Sequence, residues 1–363
     1  MAVPTAAATF VASSACFRSF RNANVSSSLV QGAKLIGTHN GSFHCDEALA
    51  VSMLKLLPKF AAHDVLRTRD EALLAQCDAV VDVGGIYDPA SLRFDHHQKT
   101  FQDSFDAEHK TRLSSAGLVY KHFGKEIIQV IAQEATSKPL DDATVELLYK
   151  KTYKNFIEHI DGIDNGVSVS SVEGPLNYNV STSLSSRVGF LNPSWNEDQS
   201  VDVINRQFQQ AMYLTITELT DSILSQVRHW LPARSIVDDA VKARFQTHAS
   251  GEILYLPQYC PWKSHLYDIE KQSLIDNQIK FVLYKDQTGG MVRVQAVNVE
   301  SSAFALRLGL LPAWRGLRDD ELSTAAGIAG CTFVHAAGFI GGNKTYEGAL
   351  EMAAKSLELQ KTE

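Results

Sequence analysis

No acidic side chain precedes Asp46, and ahead of Gln31 the only charged ones are Arg18 and Arg21, in a segment rich in Ala and Ser. Organellar transit peptides share that composition, so residues 1–30 are expected to be a transit-like extension, directed to a mitochondrion or a plastid. Apolar runs of eighteen or more residues are also missing, because Lys, Asp or Gly interrupts each one; this excludes a membrane-spanning helix and points to a soluble chain with no membrane partner. Paired cysteines are missing too. Cys16, Cys45, Cys77, Cys260 and Cys331 are widely scattered with no CxxC, which excludes a zinc knuckle or a disulfide framework and fits a reducing compartment. Positive charge is not in excess over the whole chain: the formal net charge is −7. A long footprint on duplex nucleic acid, which depends on neutralising phosphates, is therefore excluded, and a nucleic-acid substrate would need a local cleft.

What the chain does have is 363 residues, 45% of them hydrophobic, enough for two domains with buried cores. Residues 33–38 (AKLIGT) read as a buried strand running into the polar loop HNGSFHCDE. That loop opens a helix with Ala50, Met53, Leu54 and Leu57 on one face, stopped by Pro58. A second strand, residues 78–83 (DAVVDV), closes on Gly84 and Gly85, and SLRF then leads into Asp95, His96 and His97. Helical pattern follows at 114–123 and at 143–160, where DGIDNG is expected to interrupt it. Strands alternating with helices argue for a parallel α/β sheet, whose ligands sit beyond the carboxyl ends of its strands.

Residues 181–195 (STSLSSRVGFLNPSW) read as a linker, and Ile204, Phe208, Met212, Leu219, Ile223 and Val227 recur at the helical period after it. EILYLP, IKFVLYKD and MVRVQAV follow as strands, the last two joined near Thr288, Gly289 and Gly290 as a hairpin. The chain then reads as a strand (CTFVH), a Gly-rich turn (AAGFIGGNK) and a helix from about Tyr346. The expected organisation is a first α/β domain over residues 31–185 and a second, smaller α/β domain with its linker helix over 186–363.

Four clusters at expected strand ends carry the ligand types that divalent cations prefer: His39, His44 and Asp46; Asp82; Asp95, His96 and His97; and Asp161 with Asp164. Taken singly, each is ordinary surface or turn chemistry. Together they converge, because successive strands of one parallel sheet end on one edge. Two divalent ions about 3.5 to 4 Å apart repel and need a bridging carboxylate; Asp82 suits that position, and such a pair activates water and neutralises phosphoryl oxygens. Imidazole ligands are oriented by a carboxylate or carbonyl on their second nitrogen, a part for which Asp95 is placed.

The order of these clusters resembles the DHH phosphoesterase superfamily. The phrases GTHNGSFHCDEALA, DVGG, RFDHHQ, IDNG, SSRVGFLNPSWNE, CPWKSHLYDIE, LPAWRGLRDDEL and FVHAAGFIGGNKT resemble the MYG (melanocyte proliferating gene) family of metal-dependent 3′–5′ RNA exonucleases, from about Lys34 to the C-terminus. The resemblance implies a DHH-phosphoesterase-like fold with two divalent cations, manganese first and magnesium as the alternative. It places His39 and His44 on one ion and Asp46 on the other, Asp82 between them, His96 on metal, and His97 on the scissile phosphate. Asp161 is the expected last carboxylate, with Asp164 sharing its helix face. The superfamily usually has Asp where this chain has His44. The partner implied is the single-stranded 3′ end of an RNA, with a small-molecule phosphohydrolase acting on pyrophosphate or dinucleotides, or a non-catalytic regulatory protein, as the alternative readings; the expected address is the mitochondrion, together with the nucleus, with the plastid as alternative. The C-terminal phrase reads as strand, Gly-rich turn and helix, an order that suits either an anion site or a tight connection; resemblance to the substrate-binding domain of DHH enzymes implies His335, Gly338, Gly341, Gly342, Asn343 and Lys344 as substrate contacts. Arg315 and Arg187 join them as guanidinium forks for phosphate. Trp262 and Trp314 are read as core side chains.

Overall fold

A computed structural model describes residues 24–29, 32–136, 138–170, 178–287, 289–300, 302 and 304–360. Most of the transit-like extension, and Thr288 of the expected hairpin, lie outside the described residues. The chain divides into two compact units, residues 1–226 and 227–363. The boundary expected at 185/186 thus falls inside the first unit. The reason is the long amphipathic helix at Val201–Ser225, whose buried face, including Phe208, Met212, Ile216 and Leu219, packs on helices of the first unit.

The first unit is built on a six-stranded sheet. Its strands are β1 (Val25–Ser26), β2 (Leu35–Thr38), β3 (Asp64–Arg67), β4 (Ala79–Val81), β5 (Tyr87–Asp88) and β6 (Arg93–Phe94), in the order β1-β3-β2-β4-β6-β5. Every neighbouring pair is parallel except β5 and β6. β1 lies within the segment read as extension, so the folded unit begins earlier than composition suggests. Around the sheet run α1 (Cys45–Leu56), α2 (Ser115–Thr136), α3 (Asp142–Thr152), α4 (Glu158–Asp164), α5 (Leu184–Gly189) and α6 (Val201–Ser225).

All residues of α1 are buried, as expected of a helix enclosed on every side; it packs against α2 and α6. Two of its polar members, Ser52 and Lys55, are tied to backbone carbonyls. Ser52 Oγ donates to Ala48 O at 2.6 Å and Met212 O at 3.0 Å, and Lys55 Nζ donates to the carbonyls of Ala61 and His63. DGIDNG interrupts the helical pattern later than expected: α4 enters it as far as Asp164, with Asp161 accepting from buried donors, and Asn165 caps it. Gly166, at φ 68°, ends the turn that follows. The segment read as a linker contains α5, capped by Ser183 Oγ accepting from Ser186 N.

The second unit carries β7 (Ile253–Leu256), β8 (Phe281–Lys285), β9 (Val292–Ala296), β10 (Cys331–Val334) and β11 (Ile340–Asn343), in the order β10-β11-β9-β8-β7. β7 and β8 are parallel and the remaining pairs antiparallel. Alternation along β8 divides the core in two. Phe281 and Leu283 join Val294, Trp314 and Met352 on one face, while Val282 and Tyr284 join Leu254, Trp262 and Leu266 on the other. Both tryptophans are core, as read from the sequence.

The Gly-rich phrase requires a correction. It was expected to be a turn before the last helix, but Gly341 and Gly342 lie in β11, paired on one side with β10 and on the other with β9. Their peptide groups belong to the sheet rather than to an anion cradle. Close packing explains the glycines: a Cβ at 341 would meet Phe333 O and Leu310 Cδ1, each at 2.9 Å.

Candidate metal centre

Because β2, β4 and β6 are neighbouring parallel strands, the residues after their last positions meet on one edge: His39 after Thr38, Asp82 after Val81, and Asp95 to His97 after Phe94. α1 begins on the same edge with His44, Asp46 and Glu47, and α4 ends there with Asp164. Among the described residues, three groups that could hold a cation form, each with donor atoms within 4.8 Å of one another: His39, His44, Glu47 and Asp82; Asp82, His96 and His97; and Asp46, His96 and Asp164. Asp82 is common to two of them and His96 to two.

Asp82 Oδ2 lies 3.4 Å from His39 Nε2, and its Oδ1 lies 3.4 Å from His96 Nε2 and accepts from Ser115 Oγ at 3.1 Å. The residue holds a left-handed backbone at φ 57°, a conformation that costs an L-residue on the order of 1 kcal/mol and is found where a side chain must be aimed. Burial alone would raise its carboxyl pKa, but the imidazoles of His39 and His96 hold it well below the usual carboxylate range. Reciprocally, burial works against charge on these imidazoles, yet the facing carboxylates raise His39 to about 10 and His96 to about 9.

Asp46 is the clearest sign of a cation. It is 1% exposed, and neither carboxylate oxygen has a hydrogen-bond partner. Burial first, then the charges of Asp82, Asp164 and Glu47, push its pKa well above the carboxylate value. Both nitrogens of His96 likewise lack a hydrogen bond, although Asp164 Oδ2 is 3.2 Å from Nε2. Buried polar atoms are nearly always paired, so orphaned oxygens and nitrogens facing one another fit a divalent ion. The mixed carboxylate and imidazole donor set fits a divalent cation.

Asp95 does not face this cluster directly. Its Oδ1 accepts from His97 Nδ1 at 2.7 Å and His97 N at 3.2 Å, and its Oδ2 accepts from Gly85 N at 2.6 Å. Burial opposes ionisation, but the bonds from His97 and Gly85 hold the Asp95 carboxyl below its ordinary value. His97, whose side chain is 63% exposed, is raised above its ordinary pKa, first by the bond to Asp95. With Nδ1 committed to Asp95, Nε2 is the nitrogen left for a ligand.

The last carboxylate differs from the expectation. Asp161 is fully buried, but it accepts from Ser114 N at 3.0 Å, Ser114 Oγ at 2.7 Å and Tyr153 Oη at 2.8 Å. Its lone pairs thus serve the start of α2, and Asp164, three residues on, reaches the ligands. Burial pushes Asp161 up to about 7 despite its donors. Gly117, in the first turn of α2, lies against this carboxylate, and a Cβ there would collide with it. Glu47 was not recognised from the sequence. Its carboxylate accepts from His44 N at 2.7 and 2.9 Å, so it reads as an ordinary helix-capping glutamate, yet Oε1 also stands 3.0 Å from His39 Nε2.

Of the other expected substrate contacts, Arg187 lies in the first unit, where its Nη1 donates to Glu218 Oε1 at 2.9 Å. In the second unit Arg315, Gly338 and His335 are brought together. Arg315 Nε donates to Leu310 O at 3.0 Å and packs on Gly338, in the turn where Gly338 N donates to His335 O. Asn343 is fully buried and occupied, donating to Ala329 O and accepting from Thr345 N. Lys344 is exposed beyond the opposite end of β11 from His335.

A family model described as "Uncharacterised protein family (UPF0160)" matches residues 35–357. The chain is 48% identical to the MYG1 protein of Dictyostelium discoideum, over 89% of this chain and 96% of the relative. It is 47% identical to the MYG1 exonuclease of Homo sapiens, over 89% and 85% respectively. A solved pGpG-specific phosphodiesterase from Vibrio aligns with 90% of this chain and 98% of its own at 14% identity and a TM-score of 0.24.

Proposed function

This chain belongs to the UPF0160 family, and from that premise we propose that it is a metal-dependent phosphodiester hydrolase, a 3′–5′ exonuclease of single-stranded RNA. The observation that carries the reading is the sharing of Asp82 between two ligand groups, with Asp46 and His96 orphaned beside it. His39, His44 and Asp82 would hold one cation; Asp46, His96 and Asp164, with Asp82, would hold the second. When bound, the two ions supply Lewis acidity and a water of lowered pKa. The chain's own residues do the rest. Asp82, held ionised by its neighbouring imidazoles, would offer an oxygen to each cation. The bond from His97 Nδ1 to Asp95 Oδ1 orients the ring so that Nε2 is the nitrogen that would meet a phosphoryl oxygen.

Exposed Phe190 and Trp195, 79% and 92% accessible, support a single-stranded substrate, since unstacked bases settle on aromatic faces. The printed name of the human relative, an exonuclease, supports the reaction class. The acid-free segment with Arg18 and Arg21 supports an organellar address, mitochondrion before plastid, and the family resemblance adds the nucleus. The test is the full chain with a 5′-labelled oligoribonucleotide in manganese, magnesium or chelator. A descending ladder that needs metal is expected, and Asp82→Ala should lower kcat by at least about a thousandfold, roughly 4 kcal/mol of transition-state stabilisation. Turnover retained by that variant would remove Asp82 from the centre.

A further inference from the structure

Beside the ligand cluster, in the first unit, lies a cleft of about 410 Å³. Its volume is within the range of small-ligand sites and far exceeds what a phosphoryl group needs. One border is formed by His44, Asp46 and Asp164, so whatever enters lies next to the metal ligands. The floor is apolar: Ile160 and Ile163 line it, and Ile163 is 40% exposed although it directly precedes Asp164. The far wall presents the half-buried Ser185 and Ser186 of α5. That wall is braced. Asn192 Oδ1 accepts from Phe43 N at 3.0 Å and its Nδ2 donates to Phe43 O at 2.8 Å, stitching the segment after α5 to the loop that carries His39 and His44.

None of the lining residues is Lys or Arg, and Arg187 on the same helix is paired with Glu218. A second phosphate would enter an acid-bordered, uncharged cleft without a counter-charge, at considerable cost. A nucleoside suits it, with an apolar face for the base and hydroxyls for base edges or sugar. Resting on the phosphodiesterase reading, we propose that this cleft receives the terminal nucleoside of the substrate. It accepts a strand end because it has no provision for the next phosphate, and Ile163 with Ser185 sets its grip.

The test is calorimetric binding of 5′-AMP and of ribose 5-phosphate to the full chain with manganese, for the native sequence, Ile163→Ala and Ser185→Phe. Native protein should bind 5′-AMP at least about tenfold more tightly than ribose 5-phosphate, since burying apolar surface worth about two CH₂ groups, ~0.8 kcal/mol each, covers the 1.4 kcal/mol of one decade. Ile163→Ala should shrink that ratio to below about threefold, and Ser185→Phe, which fills the cleft, should erase it. Equal affinities in native protein, or a ratio unchanged in Ile163→Ala, would overturn the proposal. Ile163 is partly exposed, so its truncation spares the core and keeps the test valid if Ser185→Phe fails to fold. Oligoribonucleotide cleavage by the same native preparation separates the two readings: cleavage with equal affinities discards the cleft alone, whereas absent cleavage discards the phosphodiesterase reading.

Discussion

Replacing Asp46 by Asn should have opposite effects with and without metal. In chelator, the native chain buries a carboxylate with no donor, facing Asp82, Asp164 and Glu47. An uncompensated buried charge costs several kcal/mol, part of it relieved by taking up a proton. The amide is nearly the same size and uncharged, so Asp46→Asn should stabilise the chelated protein by about 1–3 kcal/mol. For a unit of this length, each kcal/mol moves Tm by about 2–4 °C. In manganese at about a hundred times its dissociation constant, native protein gains roughly 2.7 kcal/mol from binding. The variant, deprived of an anionic ligand, should gain much less, so the order of the two melting curves should invert. Differential scanning calorimetry of both proteins, in chelator and in manganese, reads this directly. A variant that melts below native protein in chelator would refute the reasoning, because Asp46 would then be a satisfied structural acceptor.

Asp161 and Asp164 should separate cleanly: Asp161→Ala should lower stability by about 2–4 kcal/mol, leaving Ser114 and Tyr153 unpaired, while Asp164→Ala should weaken manganese affinity with little change in the chelated Tm. Thermal melts and metal titrations of both variants check this, and reversed behaviour would restore Asp161 as the ligand. Lys55, buried in α1, is lowered by burial from 10.5 to about 8. Its folded-state pKa lies below its unfolded one, so stability should rise as pH climbs from about 8 to 10.5 and be lost as pH falls back through 8. The stability of native protein relative to Lys55→Met should therefore rise over that window, by on the order of 1.4 kcal/mol per pKa unit; a constant difference in Tm would show that Lys55 does not titrate there.

The sheet edge was legible because its signals are local. Short apolar runs ending in Gly or His announced β2, β4 and β6, and parallel topology did the rest. Asp164 was not separable from Asp161, since both lie on one helical face and only the position of Ser114 and Tyr153 decides which carboxylate is consumed. Glu47 was masked by its helix-capping position. Gly341 and Gly342 misled because glycine signals a turn from sequence alone, whereas here it permits close approach of neighbours within a sheet. The long helix α6 looked like a connector because its length and flanking polar segment carry no record of what its apolar face meets. The cleft beside the ligands was invisible for the same reason: Ile163 and Ser185 are ordinary residues until the fold sets them opposite each other.

Gly117 makes the centre vulnerable from a distance. It is no ligand and would attract no attention in a scan for acids and imidazoles, yet the smallest added side chain strikes the Asp161 carboxylate. That carboxylate fixes Ser114, and the next residue, Ser115, bonds Asp82. A methyl group at this position would thus be transmitted through two serines to the shared carboxylate, making alanine here a silent-looking change with the phenotype of a lost ligand.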